Sequence, residues 1–327
     1  STIRIELITA ADNLHDVVRL AMKLVSTISA VLVLASATFT FAAQSYIVVD
    51  NQTGMILTYQ RPNDKLQVAS LTKIATAMVT LDWAQLRKAD LSQMAAISPR
   101  AVRAGGINPV GLQEGDSLSL RDLLYTALMA SDNVAATALA EFVGVQLPNK
   151  QGLAPISNFV SHMNALAHTL GMKRTLFLNP SGSDNVEGTL PYSTASDMAR
   201  LTRYAYSEAD FPFFVSQKSR TIHVFRGGVD MPVELRNTNE LLDREGIDGV
   251  KTGRTGRAGD CLILSSERRP EVQRQGEAVY ITPRRIIIVL LGSQDRFGEG
   301  LALARQGWGL YEQWTAAGRQ IKKNEAL

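Results

Sequence analysis

The sequence predicts an α+β fold, on three observations. Strand-like apolar runs stand near both ends of the chain. Helical periodicity fills the middle. The two do not alternate as a repeating βαβ pattern would require. A sheet built from both termini, with a helical region inserted at about residues 85–200, accounts for that order. The chain has 327 residues, 45% hydrophobic and 20% charged, enough for one large domain or two lobes.

The elements follow in order. Tyr46–Asp50 reads as a strand, Asn51-Gln52-Thr53-Gly54 as a turn and Met55–Tyr59 as the returning strand. Arg61-Pro62-Asn63-Asp64 is turn-like. After it Ile74, Ala75, Ala77, Met78 and Leu81 recur at helical spacing. Leu118–Ala140 holds two helical patterns around Ala130-Ser131-Asp132-Asn133. Ile156–Leu170 is a helix that Gly171 stops, and Ser196–Tyr206 is another. From Thr221 the period changes to strands: Thr221–Phe225, Met231–Leu235, Cys261–Ser265 and Ile286–Leu291. Glu267–Ala278 is densely charged and reads as a solvated hairpin loop. Gly300–Ile321, with Trp308 and Trp314, is helical again.

The first 43 residues stand apart. Leu24–Ala43 carries no charge and follows Arg19 and Lys23. Its apolar stretch Leu24–Leu34 has the length of a signal-peptide core, and Ala35-Ser36-Ala37 and Ala42-Ala43 offer cleavage sites. Twenty uncharged residues are also long enough for a membrane anchor. Either reading exports residues 44–327, to the periplasm or the outer face of the cytoplasmic membrane, the second with membrane attachment. Net charge is +3, so nothing calls for nucleic acid. Cys261 is the one cysteine; it excludes an internal disulfide and reads as a packed core thiol.

Ser70-Leu71-Thr72-Lys73 puts a hydroxyl and an amine one helical turn apart. That is a nucleophile beside a base, provided Lys73 is partly neutral. Burial and a second cation both lower a lysine pKa. Ser131-Asp132-Asn133 lies between two helical patterns, where each residue is also a good helix cap. Lys251-Thr252-Gly253 leads toward a strand, and its charge and hydroxyl suit a carboxylate. The four histidines have no triad-like partner, no Cys/His spacing suits a metal, and Gly105-Gly106 is too short for a phosphate loop. No cofactor is expected.

Ser-x-x-Lys, Ser-Asp-Asn and Lys-Thr-Gly, in this order, form the signature of class A β-lactamases and penicillin-binding proteins. Further stretches resemble the serine D-alanyl-D-alanine carboxypeptidases, the low-molecular-mass penicillin-binding proteins of peptidase family S11. These are Asp50-x-x-Thr53-Gly54, Asp122-Leu123-Leu124, Met163-Asn164, Leu170-Gly171-Met172, Phe177–Gly182, Asn237-Thr238-Asn239 and Asp248–Gly259. The resemblance covers roughly residues 45 to 315.

It implies a β-lactamase/transpeptidase-like fold: an antiparallel five-stranded sheet flanked by helices, plus an all-helical subdomain. It implies Ser70 as the acylated nucleophile and Lys73 as its base. Ser131 would relay a proton to the leaving amine, and Asn133 would hold Lys73 and the substrate amide. Lys251 and Thr252 would bind the terminal carboxylate of a peptidoglycan stem peptide. Gly253 would clear space for a substrate strand. The N–H of Arg254 would complete an oxyanion hole with that of Ser70. The carboxylate-binding arginine would be Arg296, or Arg254 through its side chain. β-Lactam antibiotics would be covalent inhibitors.

A carboxypeptidase and a cross-link endopeptidase both fit. The chain ends without the β-rich C-terminal domain of many carboxypeptidase relatives, which leans toward the endopeptidase. A β-lactamase would carry a loop glutamate in a Glu-x-x-x-Asn setting, where this chain reads Phe177-Leu178-Asn179-Pro180-Ser181-Gly182. A silent relative that binds peptidoglycan would not need all three motifs intact.

Overall fold

A computed structural model describes residues 41–184, 188–276, 278–322 and 324–327. The apolar segment read as a signal or anchor lies outside the described residues, apart from its last three. Ala42–Leu327 forms one compact unit. Among the described residues no helix is long and apolar enough to cross a membrane.

The main sheet joins both ends of this unit. β1 (Ser45–Asp50) and β2 (Ile56–Gln60) form a hairpin. β7 (Ile247–Thr255), β8 (Gly259–Gln275) and β9 (Ala278–Ser293) follow late in the chain. The antiparallel order is β2-β1-β9-β8-β7, so β7 is an edge. Ile286–Leu291 is an unbroken apolar run because both faces are covered, and all six residues are buried. On one face Gly307 of α8 (Arg296–Ala316) lies against Val48 and Ile286. On the other, Ile47, Val49, Ile287 and Val289 join the helical core.

A 3₁₀ turn at Ala69–Thr72 leads into α1 (Lys73–Arg87). The helices α2 (Pro99–Arg103), α3 (Leu120–Met129), α4 (Asn133–Gln146), α5 (Pro155–Thr169), α6 (Ala195–Ala205) and α7 (Phe211–Val215) follow. Their starts are written in polar caps: the side chains of Ser119, Asp132 and Thr194 each accept the N–H three residues on. Gly171, at φ +71°, ends the α5 segment as its sequence position demands.

Two expectations need correction. The inserted region is not all-helical. β3 (Met94–Ala96) and β4 (Ser117–Ser119) pair there, and with β5 (Ser219–Arg226) and β6 (Val229–Arg236) they form a second sheet in the order β3-β4-β5-β6. Three-residue strands are too short to show alternation. Nor is Glu267–Ala278 a loop. Glu267–Gln275 continues β8 and pairs with β9 up to a turn at Gly276. Charges on both faces of that stretch conceal its period of two.

Candidate active site

Ser70 lies in the 3₁₀ turn, not in the first turn of an α-helix, and follows Ala69, whose φ of +49° is left-handed. Lys73 opens α1 and is completely buried. Its Nζ donates to Ser70 Oγ at 2.9 Å, Asn133 Oδ1 at 2.7 Å and the Ser181 carbonyl at 2.9 Å. The spacing of the first motif thus becomes a contact, and the second motif joins it. Burial drives the Lys73 pKa down to about 7, against partial support from the Asp132 carboxylate.

These partners fix how the neutral amine is oriented. The amide oxygen of Asn133 and the carbonyl of Ser181 can only accept. A neutral Lys73 has two N–H bonds, and these two acceptors take both. Its lone pair is left facing the Ser70 hydroxyl, which then donates to it. The Asn133 orientation is itself anchored, because its Nδ2 donates to the Gly105 carbonyl at 3.3 Å.

The turn from α3 to α4 carries the second motif. Ser131 is buried with a left-handed φ of +63°. Asp132, not Ser131, caps α4: its Oδ1 accepts from the Ala135 N–H at 3.0 Å. Burial raises the Asp132 pKa to about 6.

The third motif lies on the edge strand β7. Lys251 and Thr252 are buried, and Lys251 Nζ donates to the Thr252 carbonyl at 3.0 Å. Burial, and then repulsion from Lys73 and Arg296, hold the Lys251 pKa well below the ordinary lysine range. The sequence called for a second cation to lower Lys73, but the repulsion falls on Lys251 instead, and burial alone lowers Lys73. Gly253 has a packing reason as well as the one expected. A Cβ there would lie 3.1–3.2 Å from Val68 O, Ala69 Cβ and Ser70 N, so its bareness lets the nucleophile segment close on β7. That approach sets Gly253 beside the Ser70 N–H.

Arg254 is exposed and stands 3.5 Å from Asp260. Arg296, at the start of α8, reaches the same strand: it donates to the Gly253 carbonyl at 3.2 Å and to Asp260 at 3.4 Å. A cleft of about 230 Å³ opens over Ser70 and Asn133, walled by Gly106, Gly182, Asp184 and Arg254. A larger hollow of about 480 Å³ near Lys88 and Glu208 holds no nucleophile–base pair, so the chemistry places the site in the smaller one.

Three contributors escaped the sequence reading. The Ser181 carbonyl holds Lys73 through a backbone atom that no residue type announces. Its segment is shaped by Asn179, whose Oδ1 accepts from the N–H groups of Ser181, Gly182 and Ser183. Gly105-Gly106 walls the cleft against Asn133; its adjacent glycines, both at positive φ, were the available signal. Thr238 shares a 2.6 Å hydroxyl contact with Thr252 and donates its N–H to the Met129 carbonyl at 3.0 Å. It thereby ties the third motif to the end of α3, just before Ser131.

The remaining candidates stay out of the chemistry. Cys261 is fully buried, and burial pushes its thiol up to about 12. His223 does pair with a carboxylate, Asp230 at 2.9 Å, but both are exposed on the β5–β6 hairpin. Among the described residues no group of acids, histidines and cysteines could hold a metal.

Comparison with known proteins gives one direction. The family model described as Peptidase S11, D-alanyl-D-alanine carboxypeptidase, matches residues 32–273. The chain is 32% identical over 227 residues to the D-alanyl-D-alanine carboxypeptidase DacF of Bacillus subtilis, covering 69% of this chain and 54% of that protein. It is 36% identical over 232 residues to a D-alanyl-D-alanine endopeptidase of Pseudomonas aeruginosa, covering 68% of this chain and 66% of that one. It therefore spans between half and two thirds of these curated relatives. The crystal structure of the Streptomyces K15 DD-transpeptidase superposes with a TM-score of 0.70 at 27% identity, over 83% of this chain and 98% of that one. Penicillin-Binding Protein D2 of Listeria monocytogenes, solved in an ampicillin-bound form, shares the fold, with a TM-score of 0.62 at 24% identity over 86% of this chain and 100% of that one.

Proposed function

Because this chain belongs to the Peptidase S11 family of D-alanyl-D-alanine carboxypeptidases, we propose that it is a serine DD-carboxypeptidase that removes the terminal D-Ala of a peptidoglycan pentapeptide. The observation that carries the reading is the Lys73 amine, whose two fixed acceptors leave its lone pair to the Ser70 hydroxyl.

The residues divide the reaction as follows. Ser70 Oγ attacks the penultimate D-Ala carbonyl and passes its proton to Lys73 Nζ. The N–H groups of Ser70 and Arg254 hold the oxyanion, a contribution of several kcal/mol in such sites. Collapse breaks the C–N bond, and the leaving amine takes the proton from Lys73 by way of Ser131. Asn133 keeps Lys73 in place and holds the substrate amide. Water then attacks the acyl-enzyme and gives a proton to Lys73, which passes it to Ser70 Oγ as the acyl C–O bond breaks, restoring the hydroxyl and the neutral amine. Lys251, Thr252 and Arg296 receive the terminal carboxylate, whose charge favours protonated Lys251. A β-lactam follows the first half and stalls as the acyl-enzyme. The work is done outside the cytoplasm, after export through the apolar N-terminal segment.

A second reading, an endopeptidase that cuts cross-links, is favoured by the 36% identical relative of that name. The test uses residues 42–327 with a fluorescent penicillin, beside Ser70→Ala. Labelling of the wild type alone is expected; equal labelling, or none, overturns the serine assignment. D-Ala release from a pentapeptide, measured beside cleavage of a cross-linked dimer, separates the two activities.

A further inference from the structure

The two longest strands overshoot the sheet. β7 pairs with β8 only as far as Ser266, and β1 pairs with β9 only from Ile286. Beyond those limits, apart from backbone bonds of Glu267 to Gly246 and of Arg285 to Asn51 at the root, Glu267–Gln275 and Ala278–Arg285 pair with each other as a two-stranded ribbon turning at Gly276. Its faces differ. Even-numbered residues of β9 face α8: Ile286 meets Gly307, and Arg284 binds Glu312. Odd-numbered residues continue the face that packs on the helical core. Ile287 is buried there, and Arg285 stacks over Tyr206 at 4.6 Å.

Past Arg285 that second face loses its cover. Ile281 is 64% exposed and Val279 53%, with Val272, the cross-strand neighbour of Ile281, at 57%. Arg274, opposite Val279, shares the face. Arg269 lies at the bulge, where the register shifts between Arg268 and Glu271. Neither arginine has an acidic partner among the described residues, whereas Glu267 and Glu271 are engaged by Arg285 and Arg319. Tyr280, near the tip, is 54% exposed.

A contiguous apolar face of this kind marks an interaction surface. The ribbon edges are poor templates for a further strand, because Pro270 and Pro283 lack N–H groups and the bulge breaks the ladder. A second copy stacked face to face would oppose like charges at Arg274. Apolar β-branched side chains and uncommitted guanidiniums suit a lipid surface instead. The apolar groups enter the acyl boundary and arginine snorkels to phosphate. We infer that the β8–β9 ribbon docks on an anionic phospholipid surface. The inference is independent of the catalytic reading.

The test uses residues 42–327, whose core cluster starts at Ile47, so the apolar leader cannot contribute. The protein is sedimented with phosphatidylcholine vesicles, with and without phosphatidylglycerol. Binding to the anionic vesicles alone is expected, weakened by salt. Arg269→Gln and Arg274→Gln should each lower the partition coefficient about fivefold. Val272→Ser with Ile281→Ser should abolish binding while penicillin labelling persists, and the same pair changed to Leu should retain it. Failure to bind either vesicle, or undiminished binding by the serine pair, overturns the inference. So does a concentration-dependent dimer that the serine pair dissolves, which would assign the face to a second copy.

Discussion

The sharpest consequence of the site is a pH profile set by Lys73. An ordinary lysine near 10.5 is neutral about once in 3,000 molecules at pH 7; with a pKa of about 7 the neutral fraction is about half. The difference corresponds to about 5 kcal/mol of preference for the neutral base. The first-order acylation rate at saturating penicillin, which removes the pH dependence of binding, should therefore rise tenfold per pH unit below about 6 and level off above about 8. The perturbation is Asp132→Asn. Asparagine caps a helix as well as aspartate, so α4 should keep its start. The lost carboxylate is the group that supports protonated Lys73. Its removal leaves burial unopposed and moves the midpoint to lower pH. Stopped-flow acylation from about pH 5 to 9 reads both curves. A wild-type rate that is flat across that range, or that climbs only above about pH 9, refutes Lys73 as the base. An alkaline move of the Asp132→Asn midpoint refutes the electrostatic account.

Four further outcomes are expected. Gly182→Ala should lose penicillin labelling and at least about 2 kcal/mol of stability in urea, because its Cβ would fall 1.9 Å from the Ala69 carbonyl at a φ of +79°. Thr238→Val should cut kcat/KM about tenfold by freeing Thr252, with an unchanged melting temperature and recovery in Thr238→Ser. Lys251→Gln should damage substrates with a free terminal carboxylate more than their amides, read as a KM effect. Finally, the folded chain releases the Lys73 proton near pH 7 while the unfolded chain keeps it to about 10.5. Below that window both states are protonated, so the group's contribution to stability rises with pH across it. Wild-type stability should gain on Lys73→Met over that interval in paired denaturation curves.

The legible part of the molecule was what side chains announce. Ser70, Lys73 and Asn133 could be paired from spacing and motif order, and the Ile286–Leu291 run declared a strand. What escaped was carried by backbone or by compromise. The Ser181 carbonyl has no side-chain signature. Gly253 was read for a substrate's approach, and that a Cβ there would also crowd the Val68–Ser70 segment could not be read from the sequence. The ribbon was hidden because on one face Arg284 pairs with Glu312 of α8 and Glu271 with Arg319 beyond it, while Arg274 lies on the other. That charge pattern reads as a solvated loop.

Two fully buried lysines with no carboxylate bonded to either among the described residues are a local violation of how charged groups are housed, and such violations concentrate where function demands them. The placement explains why both are needed. Repulsion from Lys73 and Arg296 falls on Lys251, while Lys73 keeps the partial support of Asp132. Burial disfavours both ammonium groups. A carboxylate arriving at β7 would change that balance at Lys251 first, because Lys251 lies on that edge strand and Lys73 on α1, behind the Ser70 turn. A charged Lys251 in turn disfavours a proton on Lys73. Binding the correct anion would thereby enrich the neutral base beside Ser70, so that recognition of the peptide's end and activation of the serine become one electrostatic event.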